Sequence, residues 1–171
     1  GTLFLYFQSK EDIFLTLTEQ EVENWSLRTE KLFNAYIGTG NRLTPTELVS
    51  IIIDSLDNSI LVKLFAILDD TLERNISHER ALQFKTSLKI IMFRLGSLIG
   101  ELLPLIDTND GITILNHLYV CLIGSYKVSN PSEIIRTISK NPGMEIFDRK
   151  FKETLTAIST CYIEGFIALK K

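Results

Sequence analysis

The chain is expected to be all-α, and three observations predict it. Apolar residues recur at helical spacing, helix-capping patterns recur where turns should fall, and no stretch alternates like a half-buried strand. With 171 residues, 45% hydrophobic and 23% charged, the chain can bury a substantial core and reads as a folded globular protein.

The elements follow in order. Ser9 is a good N-cap and Asp12 three residues on completes a capping pattern, so a long helix is predicted from Lys10 to about Tyr36. Phe14, Leu17, Trp25, Leu32 and Tyr36 are expected on its inner side, and Gly38-Thr39-Gly40-Asn41 ends it. Thr44-Pro45-Thr46-Glu47 opens the next helix, with Pro45 at the first helical position; this signal outweighs the strand-like Ile51-Ile52-Ile53. A third helix is predicted from about Ser59 to Arg74, with Leu61, Leu64, Phe65, Leu68 and Leu72 at core spacing. A fourth runs from near Ser77 to Leu103, with Phe84, Leu88, Met92, Leu95, Ile99 and Leu102 inward and a small-residue face at Gly96 and Gly100. Asp107 or Thr108 caps a helix from about Asp110 to Lys127, and Asn130-Pro131-Ser132-Glu133 opens a short one. The last helix is predicted from about Phe147 to Leu169, where Phe151, Leu155, Ile158, Tyr162, Phe166 and Leu169 form a seam for helix pairing.

Composition narrows function. The formal net charge of −3 leaves no basic footprint over the chain as a whole, so any nucleic-acid affinity is expected to come largely from residues before Gly1. Two histidines and no Gly-rich phosphate loop after a strand make a catalytic reading weak, so no enzyme activity, catalytic residue or cofactor is expected. Cys121 and Cys161 lie in apolar helical patterns without further ligands, which fits buried thiols in a reducing cytoplasm. His117 and Cys121, one turn apart, offer two metal ligands but no third by spacing, so a metal site is not expected. The apolar stretch from Ile90 to Ile106 is interrupted by Arg94, Glu101 and Pro104, which argues against a membrane span.

The first fourteen residues carry the most specific signal. Gly1-Thr2-Leu3-Phe4-Leu5-Tyr6-Phe7-Gln8-Ser9-Lys10-Glu11-Asp12-Ile13-Phe14 resembles the G-T-[LI]-Y-x-[YH]-F-x-[SN]-K-[ED]-x-[LI] signature that closes the helix-turn-helix of TetR-family transcriptional regulators. It matches at Gly1, Thr2, Leu3, Tyr6, Phe7, Ser9, Lys10, Glu11 and Ile13, and departs at Phe4, where the family usually has a phosphate-contacting tyrosine. Lys10 fits the same reading on physical grounds. A cation in the first turn opposes the helix dipole by roughly a few tenths of a kcal/mol unless an anion such as DNA phosphate lies nearby. An isolated lysine there would be a solvated surface residue; the surrounding motif favours the DNA reading.

The resemblance implies residues 1–8 as the end of a helix-turn-helix head, with Thr2, Tyr6 and Lys10 toward DNA, and residues 9–171 as a helical effector-binding and dimerisation domain. It implies a repressor released from a double-stranded DNA operator by a small apolar or aromatic effector. Trp25, Phe65, Phe84, Met92 and His117, from different helices, are candidates to line the effector cavity; the ordinary reading of the same residues is core. The resemblance also implies a homodimer through the last two long helices, with Leu115, Leu118, Leu122, Leu155, Ile158, Tyr162 and Phe166 as apolar surface and Gly124 and Gly165 for close approach. An intramolecular seam competes with that assignment, because one helix face cannot serve both. Two other functions remain open: a helical carrier or enzyme without DNA binding, and a structural dimerisation module.

Overall fold

The computed structural model describes residues 9–56, 60–68 and 73–171. Among these the regular elements are all helical: α1 (Lys10–Ile37), α2 (Pro45–Leu56), α3 (Ile60–Ile67), α4 (His78–Leu102), α5 (Thr108–Ser129), α6 (Glu133–Ile138) and α7 (Phe151–Ala168), with 3-10 turns at Glu73–Asn75 and Glu145–Phe147. The all-α class expected from periodicity is the class found.

The caps placed the helix starts. Ser9 Oγ accepts from the Asp12 N–H at 3.1 Å, Ser77 Oγ from the Arg80 N–H at 3.2 Å, and Asp107 and Asp110 form a reciprocal capping box. Thr44 and Glu47 do the same for α2: the Thr44 N–H donates to Glu47 Oε2 at 2.8 Å, and the Glu47 N–H to Thr44 Oγ1 at 3.3 Å. Two ends differ from expectation. The last helix begins at Phe151, after a separate 3-10 turn at Glu145–Phe147. Helix α3 ends at Ile67, and Leu72 lies outside the described residues.

The long first helix, about 40 Å at 1.5 Å per residue, buries a different face from the one expected. Its buried residues are Leu15, Thr18, Val22, Ser26, Thr29 and Phe33, while Phe14 and Leu32 are 43% and 44% exposed. The hydroxyls explain the offset. Thr18 and Thr29 donate to the carbonyls of Phe14 and Trp25 on the preceding turn, at 2.7 and 2.9 Å, so these small polar side chains enter the interior already satisfied.

Helices α4 and α5 form the central pair, α1 packs along α4, and α7 runs beside α5 with α2 over its flank. The α4–α5 crossing is made by glycines. A Cβ on Gly111 would meet the backbone oxygen, carbon and Cα of Gly96, and one on Gly96 would meet Ile112 Cγ1 at 2.7 Å. The small-residue face expected at Gly96 and Gly100 is thus a helix-packing face, completed by Gly111. The main core gathers Phe33, Leu48, Leu61, Leu95, Ile99, Leu102, Ile114 and Ile163, and a smaller cluster joins Leu15, Leu68 and Phe84.

Candidate functional site

Helices α1 to α5 and α7 line a partly open cavity of about 280 Å³. Trp25, Phe65 and Met92 line it. The Trp25 indole is held by an Nε1–H bond to Ser55 Oγ at 2.9 Å, and the Ser55 hydroxyl donates to the Ile52 carbonyl at 2.7 Å. The polar edge of the ring is therefore satisfied by α2. Across the space, Phe65 and Tyr119 meet edge to face with centroids 5.3 Å apart. Among the described residues, four polar ones touch the wall: Lys85 and Asn116, both exposed, half-buried Tyr119, and fully buried Ser159. Lys85 Nζ lies 2.6 Å from Glu73 Oε1.

Two candidates fall elsewhere. Phe84 is fully buried, but in the separate cluster with Leu15 and Leu68, because it sits on the turn of α4 that meets the start of α1. His117 is exposed on α5, with Nδ1 2.7 Å from Tyr162 Oη, so it joins α5 to α7 on the outside rather than lining the cavity. Burial pushes the Tyr162 phenol up to about 12, so it stays protonated at neutral pH. Among the described residues no group of three or more His, Cys, Asp or Glu gathers as metal ligands.

The assignment of the last two helices divides in the same way. Leu115, Leu118, Leu122 and Leu155 are buried within the protomer and line the cavity, so they are not available to a second subunit. Helix α7 turns Leu155, Ser159, Ile163 and Ile167 inward. Ile158 is 47% exposed, and Tyr162 and Phe166 are half-buried at the border. The exposed residues instead include Val120, Gly124 and Val128 on α5, Ile158, Cys161 and Gly165 on α7, and Leu169 just after it. A Cβ on Gly124 or Gly165 would meet nothing within 4 Å. Ile134, Ile135, Ile138, Ile146 and Phe147, in the segment joining the two helices, are also exposed. Of the two competing readings of the seam, the intramolecular one holds for Leu115, Leu118, Leu122 and Leu155.

Two arginines tie the cavity wall to α1. Arg80 donates from Nε to Asp12 Oδ1 at 2.8 Å and, as a fork, from Nη1 and Nη2 to the two oxygens of Glu19 at 2.9 and 2.6 Å. Arg94, fourteen residues further along α4, donates from Nη2 to Glu23 Oε1 at 3.1 Å and to Ser26 Oγ at 3.0 Å. Its Nε also lies 3.0 Å from Glu30 Oε1, as an ion pair without hydrogen-bond geometry. Arg94 is thus turned onto α1 and is no polar handle for a ligand. These pairs were not legible in the sequence, since each joins residues about sixty or seventy positions apart. Lys10, at the start of α1, has an 80% exposed side chain whose ion-pair partner, Glu11, is 3.9 Å away. Thr2 and Tyr6 lie outside the described residues.

No helix among the described residues is long and apolar enough to cross a membrane. A family model described as "Tetracyclin repressor-like, C-terminal domain" matches residues 19–170. No curated protein matches the chain.

Proposed function

Because the chain belongs to the tetracycline-repressor-like family, whose members are typically regulators, we propose that it is a ligand-responsive, DNA-binding transcriptional regulator. In this reading it is a repressor that leaves its operator when a small apolar or aromatic molecule fills the cavity. The observation that carries the proposal is the apolar cavity with one wall, α4, pinned by Arg80 and Arg94 to the helix that begins at Lys10. Occupancy that displaces α4 is handed through these ion pairs to α1, and so to the segment with Thr2 and Tyr6 that enters it. The ligand must bind the DNA-free arrangement more tightly, because equal affinity for both arrangements shifts nothing.

In the same proposal the protein is a homodimer built on the outward faces of α5 and α7. Those faces carry exposed Val120, Val128, Ile158 and Leu169, and exposed glycines at 124 and 165 that let a second backbone approach closely. The two heads then meet successive major grooves of a pseudo-palindromic operator. Two free cysteines support a reducing, cytoplasmic setting. The test is Lys10→Glu in the complete protein, assayed on DNA selected from a random pool by the wild type. Weaker binding at every sequence, with the dimer intact, is expected; unchanged affinity contradicts the DNA assignment.

A further inference from the structure

The polar groups of the cavity are unevenly placed, and that asymmetry orients an occupant. On the wall formed by α1 and α2, the Trp25 Nε1–H is spent on Ser55 Oγ at 2.9 Å, and Val22, Ile52 and Leu56 present carbon only. On the α7 wall, Leu155 is apolar, and the Ser159 oxygen exposes less than 1 Å² and pairs with the Cys121 side chain. No occupant reaches it. Helix backbones add nothing, because their amides are consumed within the helices. Among the described residues, the polar side chains left on the wall are Lys85 on α4 with Asn116 and Tyr119 on α5. Lys85 and Asn116 are exposed, so this polar edge coincides with the open side of the cavity.

A polar atom carried to the α1–α2 wall would lose its water and gain no partner, whereas one held beside Lys85 and Asn116 stays in reach of water and of protein. Charge at that end is not selected. Lys85 Nζ already lies 2.6 Å from Glu73 Oε1, and the pair is neutral as a whole. Size sets the other bound. The volume of about 280 Å³ is roughly twice the ~150 Å³ of an apolar cavity that takes benzene, which corresponds to about ten to twelve heavy atoms.

We propose that the cavity takes a single-headed amphiphile, with an unbroken apolar body of about ten carbons against Trp25 and α2 and its one polar end at the α4–α5 opening. This rests on the reading of the cavity as the effector site, and it narrows the effector to molecules polar at one end only. Trp25 is the only tryptophan in the chain and lines the cavity, so its fluorescence reports occupancy. The full chain is titrated with 1-decanol and 1,10-decanediol, and then with two isomeric bromo acids, 10-bromodecanoate and 2-bromodecanoate. Bromine quenches an indole only near contact, so the isomers report which end of the chain lies at Trp25.

1-Decanol is expected to bind about tenfold or more tightly than the diol, whose second hydroxyl is buried without a partner. At saturation, 10-bromodecanoate is expected to quench Trp25 more strongly than 2-bromodecanoate. A diol that binds as tightly as decanol, or a 2-bromo isomer that quenches as strongly as the 10-bromo one, overturns the inference while leaving the effector site in place. No response to the alcohols, or none to the bromo acids, also overturns it. The effector reading itself is then judged separately, by whether the purified protein retains a small molecule of any class.

Discussion

Gly111→Ala places a single methyl group where α4 and α5 cross, and its cost follows from what surrounds it. The added Cβ meets the backbone oxygen, carbon and Cα of Gly96, and a backbone cannot rotate away as a side-chain tip can. The two helices must separate. Overpacking of this kind costs about 1–3 kcal/mol, and a contact with rigid backbone belongs at the upper end. Alanine recovers up to about 1 kcal/mol through its better helix propensity. The net expectation is a loss of about 2 kcal/mol, which for a chain of this length lowers the thermal midpoint by about 4–8 °C. Thermal unfolding followed by circular dichroism measures it, with Gly38→Ala as the control, since Gly38 has right-handed helical dihedrals and a Cβ there makes only ordinary contacts, at 3.4 and 3.5 Å. Because α4 and α5 both line the cavity, Gly111→Ala should also alter the Trp25 emission spectrum. An unchanged or raised midpoint for Gly111→Ala would refute the glycine-crossing argument.

Three further expectations follow from side chains. Arg80→Ala strands Asp12 and Glu19 at the α1–α4 contact; with the arginine side chain 18% exposed, the loss is about 2–3 kcal/mol, below that of a fully buried pair, read by urea denaturation. Arg80→Lys should recover less than half, because an ammonium cannot reproduce the fork. The Asp110 carboxyl is held below its usual value of 3.8 chiefly by its bond to Lys170, with the Asp107 N–H adding to it and partial burial opposing. Since the folded pKa is the lower one, this contribution is present above about pH 4 and is lost as pH falls through the folded value. Asp110→Asn should therefore lower stability at neutral pH and flatten the acid limb of a stability-against-pH curve; an acid limb parallel to the wild type would count against the pairing. Val120→Asp puts a charge on the outward face of α5, where Val120 is 66% exposed in the protomer, and should yield a folded monomer in sedimentation velocity. A dimer as tight as the wild type would move the interface elsewhere.

Much of this architecture is legible in local chemistry. Ser9, Thr44, Ser77 and Asp107 mark their helix starts because a cap is a contact over three residues. The inner face of α1 was harder to read, because Thr18, Ser26 and Thr29 look solvent-facing until their hydroxyls are seen bonded within their own helix. The cavity was half legible. Trp25, Phe65 and Met92 share it, whereas Phe84 and His117 are equally apolar or polar-aromatic in sequence but lie on turns that point elsewhere. Ser159 and the two arginine clamps carried no local signal, since each depends on which helices become neighbours. For α5 and α7, Leu118 and Leu155 supplied inward surface and Val120 and Ile158 outward surface. Periodicity alone does not say which apolar residues of a helix turn inward and which stay outside.

The central claim is that a small-molecule cavity sits inside a dimer formed on α5 and α7. Native mass spectrometry of the complete purified protein tests it most directly, because one spectrum gives stoichiometry and any retained ligand. The account predicts twice the subunit mass, with added mass of a small molecule that is lost on activation. Bare monomers at micromolar concentration would contradict it.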